Sequence, residues 1–226
     1  MPAWFNRLQI IDSTTISLFS NLIFKGMGRH PKTGKKKGGI KVHTNIHANE
    51  FVPSDIKFTS AATNDSFMLK PANYNDGDII AMDRAYIDYA WFEELTNHGV
   101  TYVTKMKKNL VYDTLSDTMY MLPCGLMECR VQVVEFRKHI KGGENIKHKA
   151  RIVTYVDPAK KKAKVISLLT NDMTMEVEDI IDIYRQRWEI ELLFKQLKQN
   201  FPLKYFYGES ANAIKIQIWV TLIANL

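Results

Sequence analysis

The stretch Tyr184-Arg185-Gln186-Arg187-Trp188-Glu189-Ile190-Glu191-Leu192-Leu193-Phe194-Lys195-Gln196-Leu197-Lys198 decides how the rest of the chain is read. Projected as one helix at about 100° per residue, Tyr184, Arg187, Glu191, Lys195 and Lys198 fall within roughly 40° of one line. Apolar residues flank that line, with Ile183, Ile190, Phe194 and Leu197 on one side and Trp188 and Leu192 on the other. A surface helix ordinarily keeps its charges opposite its apolar stripe. Here a carboxylate, three bases and a phenol are expected in a polar seam between two apolar walls. A plain solvated helix also carries Glu–Lys pairs at i,i+4, so the remainder of the chain has to decide between a seam with chemistry and a charged face.

Outward from that helix, composition narrows the partner. The chain has 226 residues, 46% of them hydrophobic, a formal net charge of +7 and a pI near 9.2. That length fits one large domain, or one domain with an insertion. The positive balance favours an anionic partner, nucleic acid above all. Two cysteines, Cys124 and Cys129, are too few for a disulfide framework, and their spacing is not that of a zinc pair. No signal peptide is evident, and no apolar run reaches the roughly 18 residues of a membrane span. Both ends read as cut. A strand starts almost at once, and the apolar stretch from Ile214 to Leu226 carries no C-cap signal, so a piece of a longer protein is expected.

Two further carboxylates stand where apolar strands end. Leu8-Gln9-Ile10-Ile11-Asp12 is a short apolar strand carrying an acid, followed by Ser13-Thr14-Thr15. Ile79-Ile80-Ala81-Met82-Asp83 has four apolar residues in a row, the mark of a strand covered on both faces, and continues into Arg84-Ala85-Tyr86. An acid within apolar surroundings is costly unless paired, hydrogen-bonded or metal-bound. Either Asp could instead serve a turn or cap a helix.

The other elements follow from local pattern. Gly39 to His47 alternates strictly, which reads as a half-buried strand with Lys41, His43, Asn45 and His47 outward. His43 and His47 would stand about 13 Å apart, too far to share an ion, and read as surface or DNA-facing. Strands are expected over Val52–Ser60 and Thr101–Met106, a short helix over Asn64–Leu69 and a helix over Asp88–His98. From Lys107 to about Asp172, β-like runs at Leu126–Phe136, Ala150–Asp157 and Lys164–Thr170 alternate with Gly- and Lys-rich turns, the pattern of a β-rich insertion. Two basic stretches stand out. Lys25 to Lys41 holds seven Lys/Arg, five Gly and no acid, including Lys35, Lys36 and Lys37; Glu135 to Lys164 holds ten Lys/Arg against three acids. Such runs suit a phosphate backbone, and equally a solvated loop.

Three carboxylates from separate elements suit two hard divalent cations, which take shared oxygen ligands. Asp12, Asp83 and Glu191, in that order, with Tyr184, Arg187, Glu191 and Lys198 spaced Y-x2-R-x3-E-x6-K, resemble the catalytic core of DDE transposases, and most closely the insertion-sequence-four family with its Tyr-Arg-Glu-Lys helix. The resemblance covers essentially the whole chain. It implies an α/β, ribonuclease-H-like mixed sheet flanked by helices, with a β-rich insertion before the last catalytic helix. The corresponding division is 1–106 as the first part of the core, 107–172 as the insertion and 173–226 as the second part. It further implies cleavage and strand transfer of DNA at element ends, with two Mg2+ or Mn2+ ions held by Asp12, Asp83 and Glu191. Tyr184, Arg187 and Lys198 would hold phosphates; Trp188, Lys195, Arg84 and Lys35 to Lys37 are further DNA-binding candidates. The implied partners are transposon-end and target DNA and a second copy of the full-length protein, in a bacterial cytoplasm and without a membrane. Competing expectations are a metal-dependent nuclease of the same fold and a catalytically idle DNA-binding remnant.

Overall fold

The computed structural model describes residues 1–18, 39–50, 52–121, 128–139, 145–157, 164–201, 203 and 205–224. The fold is mixed α/β, a large mixed sheet flanked by helices. Two compact units divide the chain: one is Met1–Ile10 with Ser66–Arg187, the other Ile11–Asp65 with Trp188–Leu226. No helix among the described residues is long and apolar enough to cross a membrane.

In the first unit the strands follow one another as β1 (Leu8–Ser17, of which Leu8–Ile10 belong here), β4 (Ile79–Met82), β5 (Thr101–Lys105), β9 (Lys164–Thr170), β8 (Ile146–Asp157), β7 (Glu128–Lys138) and β6 (Asp113–Met121). β4 and β5 pair in parallel, with Ile79 opposite Thr101, and the run from β5 through β9, β8, β7 and β6 is antiparallel throughout. A parallel pair needs a crossover, supplied here by helix α1 (Tyr89–Asn97). Asp88 caps α1 by accepting from the Ala90 N–H at 3.0 Å. The four residues of β4 are all buried, as an uninterrupted apolar run requires.

The core of this unit is aromatic. Phe92 of α1 stacks on Tyr102 of β5 with centroids 3.9 Å apart, and Tyr89 stacks on Phe136 of β7 at 4.6 Å. Tyr102 and His148 are buried, and the Tyr102 hydroxyl lies 2.6 Å from His148 Nε2. Helix α2 (Val177–Gln186) packs on β4, β5 and β9 through Val177, Ile180, Ile181 and Ile183.

Gly99 ends α1 with φ +73, a left-handed conformation that suits glycine, and its carbonyl accepts from the Gly77 N–H at 3.0 Å. A methyl group added there would run into the Asp76 carboxylate. Gly99→Ala is therefore expected to lower stability by about 1–2 kcal/mol through the backbone alone, read as a lower urea midpoint.

The second unit holds the rest of β1 with β2 (Gly39–His47) and β3 (Pro53–Ser60), and helices α3 (Trp188–Asn200) and α4 (Ala211–Ala224). β2 and β3 are antiparallel, with Val42 opposite Phe58. Ile16, Val42, Phe194, Leu197, Ile218 and Leu222 surround one small apolar cavity, so both helices cover the β1–β2 face. Phe58 of β3 meets Trp219 of α4 edge-on at 5.8 Å.

Two expectations are corrected. β2 is not half-buried: seven of its nine positions are buried, and His43 is fully enclosed rather than surface or DNA-facing. Its ring bonds Thr59 Oγ1 at 2.7 Å and lies 3.5 Å from Asp65. Tyr184 to Lys198 is not one helix. α2 ends at Gln186, Arg187 is a turn, and α3 starts at Trp188.

Candidate active site

Asp12 sits within β1, half-buried, and its Oδ1 accepts from the Ser13 N–H at 2.7 Å. The strand runs on through it to Ser17, so the acid is part of a strand and not of a turn. Ser13 Oγ donates to Asp65 Oδ1 at 2.8 Å. Lys41 Nζ lies 3.2 Å from the same Asp65 oxygen and donates to the Thr63 carbonyl at 2.7 Å. The short helical segment at Asp65 thus grips the strand at the residue next to Asp12. Sequence reading missed Asp65, because nothing local distinguishes it from an ordinary first-turn acid.

In the same unit α3 carries Glu191, half-buried, and Lys195 and Lys198, both exposed. The Lys198 stem lines the apolar cavity with Phe194 and Leu197, as long cationic side chains do while their heads reach water. Burial pushes the Lys198 ammonium below its ordinary pKa, and the nearby Asp12 carboxylate opposes that shift. Asp12 and Lys198 are therefore electrostatic neighbours. That pairing joins the first predicted acid to the last residue of the predicted signature.

In the other unit Asp83 follows β4 directly. Its Oδ1 accepts from the Ala85 N–H at 2.9 Å, capping the short helical turn Arg84–Tyr86. Arg84 is exposed beside it. Tyr184 and Arg187 close α2, and the Arg187 guanidinium lies 5.5 Å from the Tyr184 ring centroid. Arg187 is itself buried, at 8% exposure. A planar cation stacked on a ring and largely removed from water holds a fixed fork orientation.

The two expected apolar walls differ. Ile183, Ile190, Phe194 and Leu197 are buried, whereas Trp188 is 56% and Leu192 38% exposed. The structure thus brings together Asp12 with Lys198, and Tyr184 with Arg187. Among the described residues no three His, Cys, Asp or Glu side chains lie close enough to hold a metal ion. The chemistry of the donors still fits hard cations. Asp12 and Asp83 offer carboxylate oxygens, and each has Oδ1 fixed by a backbone N–H. Lys35, Lys36 and Lys37 lie outside the described residues.

The family model described as Transposase DDE domain matches residues 3–226. The chain belongs to that family. Among curated proteins, this DDE-family chain is 26% identical over 217 residues to y4zB of Sinorhizobium fredii (strain NBRC 101917 / NGR234), named as a transposase. It is 28% identical over 217 residues to a Synechocystis protein named as the transposase for insertion sequence element IS4SA. Each alignment takes in 96% of the chain, which spans 58% and 57% of the two relatives' lengths. Among solved structures, the piggyBac transposase in a synaptic complex with hairpin DNA shares the fold. The TM-score is 0.57 at 12% identity, over 97% of this chain and 45% of that one.

Proposed function

We propose that the chain is the catalytic core of a transposase of the insertion-sequence-four kind, cutting DNA at the ends of its element and joining the freed 3′ end to target DNA. The observation that carries this reading is the family match over residues 3–226, which takes in Asp12, Asp83 and Glu191 as well as Tyr184, Arg187 and Lys198. The electrostatic interaction between the Asp12 carboxylate and the Lys198 ammonium supports it. On this reading the fold is ribonuclease-H-like, with residues 107–172 as a β-rich insertion between core segments 1–106 and 173–226. The full-length protein would act as a dimer in the bacterial cytoplasm.

Asp12, Asp83 and Glu191 would hold two Mg2+ or Mn2+ ions. When bound, these supply activation of the attacking oxygen and stabilisation of the leaving one during in-line phosphoryl transfer. The chain's own residues do the positioning. Asp65 fixes Ser13, and the Ser13 N–H fixes the Asp12 carboxylate. Arg187, held against Tyr184, presents a fork that matches two phosphate oxygens, and Lys198 presents a point charge. Lys195, Arg84, Trp188 and Lys35 to Lys37 would extend the DNA contact.

Calorimetric titration of Mn2+ into the chain with duplex DNA present tests the metal assignment. The parent should bind the ion, and Glu191→Gln should weaken binding at least about tenfold, since a carboxylate ligand is replaced by a neutral amide. Equal binding by parent and variant, or none by either, would remove Glu191 from the site and return the idle DNA-binding reading.

A further inference from the structure

Asp12, Thr14 and Ile16 alternate onto one face of β1, and Thr14 and Ile16 meet α3 there around the cavity they share with Val42 of β2. Ser13 and Lys41 therefore stand on the opposite face, away from α3. That back face carries a polar cluster. Lys41 of β2 is opposite Thr59 of β3, and past Ser60 the chain turns, with the Thr63 N–H donating to the Ser60 carbonyl at 2.9 Å. The turn delivers Asp65 to the back of β1 and β2. Its Oδ1 accepts from Ser13 Oγ at 2.8 Å and lies 3.2 Å from Lys41 Nζ, which also donates to the Thr63 carbonyl at 2.7 Å. Lys41 ends the basic run that began at Lys25, yet its side chain is drawn inward, 12% exposed beside an Asp65 that is 17% exposed.

Stability alone does not account for this pair. Taking two charges out of water is costly, and apolar residues of similar volume often serve as well or better. The turn is tied to β2 without the acid, since the Ala61 N–H donates to the Gly39 carbonyl at 3.0 Å. What Asp65 adds is an acceptor for Ser13. The last torsion of an aspartate is broad and roughly two-fold, so a bond from outside is needed to select one carboxylate orientation. The Ser13 N–H supplies such a bond to Asp12 at 2.7 Å. That N–H turns with its peptide, and the Ser13 hydroxyl, held by Asp65, resists the turn from the other face of the strand.

We propose that Asp65 is a positioning residue of the candidate active site: it acts from the back of the sheet, through Ser13, to hold the Asp12 carboxylate in one orientation, while Lys41 keeps the Asp65 side chain in place. The inference rests on the proposed function in taking Asp12 as a metal ligand. Partners that orient a ligand in this way are worth about 10–100-fold in metal affinity. Mg2+ demands near-ideal octahedral geometry, whereas Ca2+ accepts flexible arrangements, so loosening Asp12 should cost Mg2+ more than Ca2+.

Two double variants of the full chain separate positioning from packing. Lys41→Met with Asp65→Asn removes both charges and keeps an oxygen for the Ser13 hydroxyl; Lys41→Met with Asp65→Leu removes the charges and the oxygen. Neither leaves one member of the ion pair buried alone. In EDTA, amide hydrogen exchange followed by NMR should show the Ser13 N–H of the second variant exchanging at least about tenfold faster than the parent's, and that of the first within about threefold of it. Calorimetric titration with duplex DNA present should show Mg2+ affinity about tenfold lower in the second variant and Ca2+ affinity within about threefold, with the first variant close to the parent for both ions. Urea midpoints near the parent's would show that both fold. If the second does not, Ser13→Ala against Ser13→Thr puts the same question, since only the threonine keeps a hydroxyl for Asp65. Equal Ser13 exchange in the two folded double variants would overturn the role of Asp65. So would Mg2+ and Ca2+ affinities that fall together, the sign of a general loosening, or that both stay at the parent's values. A parent that binds neither ion removes Asp12 as a ligand and this role with it, whereas the exchange measurement, made without metal, shows separately whether Asp65 holds Ser13.

Discussion

Asp12→Asn is expected to abolish metal-dependent DNA cleavage, at least about a thousandfold, while leaving the fold intact. The amide oxygen of Asn can still accept the Ser13 N–H, so the bond that fixes the side chain survives. Ser13 keeps its own bond to Asp65, which holds the strand from the far side. The change removes only the negative charge. A hard divalent cation loses an anionic ligand, and a metal-assisted step draws several kcal/mol from that charge; about 4 kcal/mol corresponds to a factor near a thousand. Glu191→Gln should act in the same way from α3. Asp12→Asn carries a second signature. The Asp12 carboxylate opposes the burial that lowers the Lys198 pKa, so its loss should lower that pKa further, observable by NMR titration of the lysine side chain. Nicking of labelled duplex DNA in Mg2+ and in Mn2+ measures the main effect. Activity within about tenfold of the parent in either variant would show that the carboxylate is not a ligand.

What could be read in the chain, and what could not, follows from how local each signal is. Asp12 and Asp83 were legible because a charge at the end of an apolar run is anomalous without any knowledge of the fold. β2, β3, β9 and α1 were legible from alternation, turn residues and the Asp88 and Gly99 caps. β6 was not expected, since eight of its nine residues are exposed and an edge strand needs no apolar face to pair with β7. Its Asp113 and Asp117, charges on an edge, also lower the strand signal. His43 was misplaced for a different reason. Alternation shows which residues share a face but not whether a distant segment covers the other one. The covering residues here include Thr59 and Asp65, 16 and 22 positions further on. The break between α2 and α3 left no mark either. No Gly or Pro stands there, and Arg187 keeps helical angles, φ −54 and ψ −24, while its N–H bonds the carbonyl three residues back. A projection at constant pitch therefore treated α2 and α3 as one helix. The pairing of Asp12 with Lys198 lies beyond any local pattern, because 186 residues separate the two.

Stability is expected to fall as the pH drops from about 6.5 towards 4, and His43 is the main reason. The ring is enclosed, and burial pushes its pKa down from 6.5 to about 4; Asp65 opposes the shift, while Lys41 and Lys57 add to it. Between those two values the unfolded chain holds a proton on this histidine that the folded chain does not. Acid therefore favours unfolding through that window, and the contribution is complete only below the folded pKa. A shift of that size corresponds to about 3 kcal/mol. His148 adds to the effect in the same direction. Burial lowers its pKa, with Glu93 opposing, and the ring is held between Glu93 at 2.8 Å and the Tyr102 hydroxyl at 2.6 Å. Nδ1–H donates to the Glu93 carboxylate in the neutral ring, leaving Nε2 to accept from Tyr102. Burial raises the Tyr102 pKa well above its usual value, so that hydroxyl stays a donor. Protonating Nε2 would make the Tyr102 oxygen the acceptor and turn its hydroxyl proton away from the ring, in a site where Tyr102 is fully buried. Urea midpoints measured at intervals from pH 7 to pH 4.5 check the slope, and His43→Gln isolates its source, since carboxylates that titrate near pH 4 contribute equally to parent and variant. The variant should be less stable at pH 7, where it lacks the well-packed neutral ring, and its midpoint should change less with pH than the parent's. A parent midpoint that stays level over this range, or a variant with the same slope, would show that His43 accepts its proton in the fold as readily as in the unfolded chain.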